Sequence, residues 1–278
     1  MNYNSLVKLL TNCGSAAPEY EAAELISHFN GKPREWCLTN RETRLPPEIT
    51  RAAELRASGT PLQYITGRAW FYGDRYFVTP DVLIPQPDTE HIVEAALGMI
   101  TPGSNVLDLC TGSGCIIISL LKRTVASGTG IDLSVPALQV ARKNAEVHKI
   151  GSRLNFIQAD ALDSPLIPGL VASADVIVSN PPYINTDVID TLSPEVRSEP
   201  RMALDGGADG MKFSRRFILD YACLMKPSAK MILEIGYDQS ERISELCRTA
   251  GLECEFRRDF GGNLRAAIIF SGKTNAGE

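Results

Sequence analysis

Beyond residue 102 the chain alternates two hydrophobic patterns, and that alternation limits its fold more than any other feature. Short β-branched runs at residues 105–109, 129–133, 154–158, 174–179 and 230–235 are interleaved with stretches of helical character, among them 115–123, 135–149, 213–225 and 239–250. Strands that alternate with helices imply a mostly parallel sheet covered on both faces. Two last strands, 252–257 and 264–270, have only DFGGN between them. That connection has no room for a crossover helix, so this pair is expected to run antiparallel. The expectation is an α/β fold with a seven-stranded sheet. The final eight residues, SGKTNAGE, read as a loose tail.

The first 68 residues have a different character. PEYEAAELISHF (18–29) opens on proline and is stopped by Asn30-Gly31, and PPEITRAAELRASG (46–59) repeats that logic. Proline near a helix start and glycine just past its end are the expected punctuation, so a small helical bundle is predicted. Residues 69–90 mix aromatic, β-branched and turn residues, the mark of an extended linker or β-hairpin. A helix is expected to open at Pro87, with acidic residues in its first turn facing the positive end of the helix dipole. The predicted division is therefore 1–68 helical, 69–90 linker and 91–278 sheet domain.

Composition excludes several classes. With 44% hydrophobic and 22% charged residues, the 278-residue chain has the make-up of a soluble globular protein. No apolar run approaches the roughly 18 residues of a membrane span, and the N-terminus lacks a signal-peptide pattern. A cytoplasmic protein without membrane contact is expected. Seven cysteines, an odd number with no CxxC spacing, and three scattered histidines offer neither a disulfide framework nor a metal site. A net charge of −5 argues against a long grip on nucleic acid.

The string Val106-Leu107-Asp108-Leu109-Cys110-Thr111-Gly112-Ser113-Gly114-Cys115 is a strand entering a glycine turn and then a helix. Gly112 and Gly114 let backbone pass close to a ligand at the strand's carboxyl end. The third glycine of a dinucleotide loop is replaced by Ile117, which disfavours pyrophosphate packing. Asp132 ends the next strand, about twenty residues on, where a carboxylate can accept hydrogen bonds from both ribose hydroxyls. A nucleoside without phosphate fits this pattern best; a tight strand–helix turn with a surface aspartate is the plainer reading.

Ser179-Asn180-Pro181-Pro182-Tyr183-Ile184 follows the apolar strand. Asn180 and Pro181 each precede a proline and are pushed to extended geometry. Neither proline has an N–H, so the loop is stiff and cannot continue as an interior strand. An amide nitrogen is a poor nucleophile because its lone pair is shared with the carbonyl, as the rotation barrier of roughly 18–20 kcal/mol shows. The Asn180 side-chain oxygen and the Pro181 carbonyl can each accept one N–H of a planar NH2 group. They would hold its lone pair toward an activated methyl and stabilise the charge that develops. Tyr183 is expected to pack against the planar group. No Ser–His–Asp or Cys–His set can be placed, and Cys110 and Cys115 are read as packing residues.

These strings together resemble the HemK/PrmC family of release factor N5-glutamine methyltransferases. The likeness covers about residues 50–270 and includes PLQYITG (61–67), FYG (71–73), IPQPDTE (84–90), DLCTGSG (108–114), NPPYI (180–184), EPRMALDGGADG (199–210) and LEIG (233–236). The resemblance implies a class I, Rossmann-like methyltransferase domain behind a helical N-terminal domain that recognises substrate and a β-hairpin linker. It implies S-adenosylmethionine as cofactor, S-adenosylhomocysteine as product, and the GGQ glutamine of class 1 release factors as substrate, without direct nucleic-acid contact. Cys110, Thr111, Gly112, Ser113 and Gly114 would hold the methionine part of the cofactor and Asp132 its ribose. Asp160 and Ala161 would lie by the adenine, and Asn180, Pro181, Pro182 and Tyr183 would bind the glutamine, Asn180 also touching the cofactor. A monomer is implied. Two positions depart from the family: Gln86 stands where arginine is usual, and Ala161 where some members carry an aromatic residue.

Two other readings share these strings. An N6-adenine DNA or N2-guanine RNA methyltransferase faces the same nitrogen problem, but needs to flip a base and grip phosphates. A non-catalytic module that senses the cofactor would have no use for the Asn-Pro-Pro-Tyr loop.

Overall fold

The structure, a computed structural model, describes residues 1–259 and 261–272. Phe260 of the DFGGN connection and residues 273–278 of the expected tail lie outside the described residues. The chain forms two compact units, one of residues 1–68 with 193–198, the other of 69–192 with 199–278.

In the smaller unit the helices are α1 (Tyr3–Asn12), α2 (Pro18–Asn30), α3 (Trp36–Thr39), α4 (Pro47–Ala57) and α5 (Leu62–Thr66). Asn2 caps α1 reciprocally with Ser5, which satisfies donors the first turn leaves open. Leu6, Leu10, Leu25, Ile26, Ile49 and Ala53 close the core without exposure. Arg56, only 7% exposed, forks onto Glu21 at 2.8 and 3.0 Å and reaches Glu195 at 2.5 Å. Glu195 lies in the short helical turn Pro194–Arg197, so a segment far along the chain completes this unit.

The larger unit begins with a hairpin of β1 (Arg68–Phe71) and β2 (Asp74–Phe77). Its turn residues Tyr72 and Gly73 both have left-handed φ, 50° and 78°, as a two-residue hairpin of the right twist requires. The Tyr72 amide donates to Glu90 at 2.7 Å, and Arg123 donates to the Tyr72 carbonyl at 2.6 Å while stacking over its ring. Phe71 and Tyr76 are buried in the main core, so the stretch read as a linker packs as part of this unit.

The central sheet has the order β5-β4-β3-β6-β7-β9-β8. Its strands are β3 (Asn105–Leu109), β4 (Ser127–Asp132), β5 (Leu154–Gln158), β6 (Val176–Ser179), β7 (Lys230–Glu234), β8 (Leu252–Arg258) and β9 (Leu264–Ser271). Only β9 runs antiparallel to its neighbours, as the short connection predicts. Val106 packs on one side of the sheet with α7 (Cys115–Arg123), whereas Leu107 and Leu109 pack on the other with Phe217 and Ile243. This period-two division puts helices on both faces. The remaining long helices are α6 (Glu90–Leu97), α8 (Val135–Val147) and Ser240–Thr249.

The differences from the sequence reading are local. Ile167–Ser173 is helical although it begins Ile-Pro-Gly, and the excursion after Asn180 carries short turns at Pro194–Arg197 and Arg201–Leu204. The helix expected at 213–225 is α only over Lys212–Arg216, then widens to π over Phe217–Tyr221 and tightens to 3-10 over Ala222–Leu224. The chain leaves β3 for β4 and β5 on one side and returns to β6 on the other. A crevice opens at the carboxyl ends of strands at such a switch point.

Candidate active site

A cavity of about 410 Å³ lies at that switch point, within the roughly 300–1,000 Å³ usual for small-ligand sites. Of the residues named from sequence, Cys110, Thr111, Gly112, Ser113, Asp132, Asp160, Ala161, Asn180 and Pro182 line it. Gly114, Pro181 and Tyr183 do not. Leu83, Pro85, Gln86, Thr89, Met202 and Phe213 form further wall.

The glycine loop is held from beneath. Cys110 itself adopts a left-handed φ of 62°, costly for a residue with a Cβ. Gly114, at φ 78°, starts α7, and a Cβ there would lie 3.0 Å from Ile118 and 3.3 Å from Ala141. The Thr111 amide donates to the Ile131 carbonyl at 2.8 Å, and its hydroxyl donates to Asp108 at 2.6 Å. Asp108 is fully buried, its second oxygen has no partner among the described residues, and burial pushes its carboxyl up to about 7. Asn144 of α8 ties this loop to the hairpin: its amide nitrogen donates to the Ser113 and Phe77 carbonyls, at 2.9 and 3.0 Å, and its oxygen accepts the Phe77 N–H at 2.7 Å. An asparagine on the apolar face of a helix is the only sequence signal for it. Burial raises the Cys110 thiol well above its usual range and Cys115 to about 12. Neither is a thiolate at neutral pH, which suits packing.

Asp132 accepts the Gly112 N–H at 2.8 Å and the Ser134 N–H at 2.9 Å, one on each oxygen. Each oxygen keeps a lone pair for a ligand hydroxyl. Burial raises its carboxyl, and the backbone donors oppose that shift. Asp160 accepts the Leu162 N–H at 2.8 Å. The charged residues on the cavity wall are Asp81, Asp132, Asp160 and Asp205 against Lys212 alone. A phosphorylated nucleotide would meet like charge here, whereas a cationic nucleoside meets opposite charge.

Asn180 leaves the carboxyl end of β6, and its amide nitrogen donates to the Thr89 hydroxyl at 3.1 Å. No donor among the described residues takes the Pro181 carbonyl. The loop is clamped by a second one: Ile184 N–H donates to the Leu204 carbonyl at 3.0 Å, and Gly206 N–H to the Ile184 carbonyl at 2.8 Å. The Gln239 amide nitrogen donates to the Tyr183 and Gly210 carbonyls, each at 3.1 Å. A Cβ on Gly206 would stand 2.7 Å from Tyr183 Cα. Glu199, 8% exposed, accepts the Ile84 N–H at 2.8 Å and binds two stretches of wall together; burial raises it to about 7.

Tyr183 sits otherwise than expected. Its hydroxyl donates to Glu234 at 3.1 Å instead of the ring lying on the cavity wall. Burial pushes its phenol far up, so it remains a donor. Glu234, at the end of β7, is 2% exposed; burial raises it to about 7, and one of its oxygens has no partner among the described residues. Sequence reasoning named neither Thr89 nor Glu234, although both lie in quoted strings.

Comparison with known proteins identifies relatives of both units. A PrmC N-terminal domain model matches residues 3–67 and a methyltransferase domain model residues 100–248. A protein of Bacillus subtilis (strain 168) named release factor glutamine methyltransferase is 37% identical over 275 residues, 93% of this chain and 94% of that one. One of the same name from Moorella thermoacetica is 39% identical over 254 residues, 88% of each chain. Among solved structures, the hMettl16 catalytic domain in complex with a MAT2A 3′UTR hairpin shares the fold, with TM-score 0.58 and 17% identity over 81% of this chain and 83% of that one. Identity above a third, sustained through both units, shows that the chain belongs to the release factor glutamine methyltransferase family.

Proposed function

We propose that the protein transfers a methyl group from S-adenosylmethionine to the side-chain amide nitrogen (N5) of the GGQ glutamine of class 1 release factors. The observation that carries this reading is Asn180: its amide nitrogen is spent on Thr89, which leaves its oxygen as the open end on the cavity wall. The acidic cavity fits the cofactor, a nucleoside with a cationic sulfonium. Asp132 would take its ribose hydroxyls, Asp160 and Ala161 would flank its adenine, and Cys110 to Gly114 would cradle its methionine part. When bound, the cofactor supplies an activated methyl carbon.

The chain's own work is orientation. The Asn180 oxygen and the Pro181 carbonyl accept the two N–H groups of the glutamine amide and keep its nitrogen in one geometry. The N–H groups become better donors to both oxygens as that nitrogen turns positive. The excess proton leaves afterwards, so no strong base is needed beforehand. A cytoplasmic monomer that meets a protein and not a nucleic acid is part of this reading. The base-methylating alternative is not favoured, since the relatives that share both units are named for a release factor glutamine.

Purified protein is expected to transfer labelled methyl to a class 1 release factor and not to its GGQ-to-GGA variant, DNA or RNA. Equal labelling of the two release factors would remove glutamine as the acceptor. Asp132→Ala is expected to weaken cofactor binding roughly 10²- to 10⁴-fold, two hydrogen bonds to a charged group being worth about 1.5–3 kcal/mol each. Titration calorimetry checks this, and unchanged affinity would take Asp132 out of the site.

A further inference from the structure

We infer that Asn144 is a positioning residue for the cofactor loop, and that through it the β1–β2 hairpin is part of the cofactor-binding apparatus. The inference rests on the cofactor reading and deepens it. Asn144 does not line the cavity. It lies on α8, 1% exposed, on the helix face that buries Leu138, Ala141 and Ala145 in the apolar core. A carboxamide buried in such surroundings is costly unless each of its polar groups is paired.

Each of them is paired. Oδ1 accepts the Phe77 N–H at 2.7 Å, and Nδ2 donates to the Phe77 carbonyl at 3.0 Å and to the Ser113 carbonyl at 2.9 Å. An amide nitrogen has two protons to give, and both are used. Phe77 ends β2, whose sheet contains only β1. The carboxamide offers Phe77 the donor and acceptor that a third strand would offer. Its other N–H fixes the Ser113 carbonyl. That carbonyl and the Gly114 N–H belong to one planar peptide, and the Gly114 N–H closes the glycine turn on the Thr111 carbonyl at 2.8 Å. Asn144 therefore sets the plane of the peptide that leads into α7. Ala141, one turn earlier on α8, faces the same place, since a Cβ on Gly114 would lie 3.3 Å from its Cβ. Beyond Phe77 the chain passes buried Val78 and reaches Asp81, Val82 and Leu83 on the cavity wall. One side chain thus holds two stretches of wall in register, the glycine loop and the segment that leaves the hairpin. His148 adds a second, exposed tie from α8 to the hairpin, with Nε2 3.1 Å from the Arg75 carbonyl.

The test is calorimetric titration of the full chain with S-adenosylhomocysteine, well below the melting temperature. If wild-type protein does not bind it, the cofactor reading itself fails, independently of Asn144. With the wild-type Kd in hand, Asn144→Leu, nearly isosteric but without donors or acceptor, should raise Kd roughly 3- to 10-fold. That is the fold-change equivalent to one net hydrogen bond, lost because the loop then holds its binding arrangement only part of the time. Ser104→Ala is the control for a merely structural loss. It removes two hydrogen bonds to Thr101 at the amino end of β3, the end away from the cavity, so it should lower the melting temperature and leave Kd unchanged. Should Asn144→Leu not fold, Asn144→Ser, which leaves room for water beside the same partners, carries the same expectation. A third readout needs no variant. In wild-type protein saturating ligand should slow hydrogen exchange of the Phe77 amide, which Asn144 accepts, more than that of the Asp175 amide, which bonds Asn105 at the amino end of the sheet. A wild-type Kd in a folded Asn144 variant would overturn the inference. So would a Kd shift equally large in Ser104→Ala, or equal slowing of the two amides.

Discussion

Asn180→Ala is expected to lower kcat by roughly 10²- to 10³-fold, the usual loss when one preorganised hydrogen-bonding group is removed from a site of charge development. Cofactor Kd should change by no more than a few-fold. The reason is geometric. The Asn180 amide nitrogen is already committed to Thr89, so deleting the side chain removes one acceptor for the substrate nitrogen and little else from the cavity wall. Single-turnover assays at saturating cofactor separate the two effects. A variant that loses cofactor binding yet turns over normally at saturation would contradict the role given to this residue.

Gly206→Ala is expected to cost roughly 100-fold in kcat, the penalty that follows when reacting groups are misplaced by about an ångström. The added Cβ would lie 2.7 Å from Tyr183 Cα and 2.9 Å from both the Pro182 and Gly210 carbonyl oxygens. All three contacts are to backbone, which cannot rotate away. Either the Asn180 loop shifts or its partner loop does, and the bonds between Ile184, Leu204 and Gly206 register the strain. Gly169→Ala is a suitable control, because nothing lies within 4 Å of its added Cβ. Activity of Gly206→Ala equal to that control would show that the loop tolerates displacement.

Much of the fold was readable because its signals are local. The strands of the central sheet declared themselves as short runs of strand character between helical stretches, and the antiparallel end followed from a connection too brief for a helix. The glycine loop, Asp132 and the Asn-Pro-Pro-Tyr string were likewise visible as contiguous text. What stayed hidden depends on convergence. Glu234 reads as an ordinary acid at the end of a strand until β7 places it, 2% exposed, behind Tyr183. Thr89 reads as one residue of an acidic helix start until Asn180, ninety-one positions away, arrives beside it. Gly206 reads as turn punctuation until the second loop is laid against the first. The partner of the Tyr183 hydroxyl was hidden for the same reason: no string near it mentions Glu234. Four-residue turns such as Pro194–Arg197 are too short to show any periodicity.

The excursion at residues 193–198 bears on how such a protein can be inherited or engineered. The helical unit is not a cassette that ends where the sheet unit begins, because the polypeptide revisits it more than a hundred residues later. A gene cut at codon 68 would strand Glu195 without the arginine it binds and Ser198 without the Gly59 carbonyl its hydroxyl meets. Recombination that swaps one half between relatives must therefore carry both stretches together, or inherit a mismatched seam in the very strand of chain that leads away from Asn180.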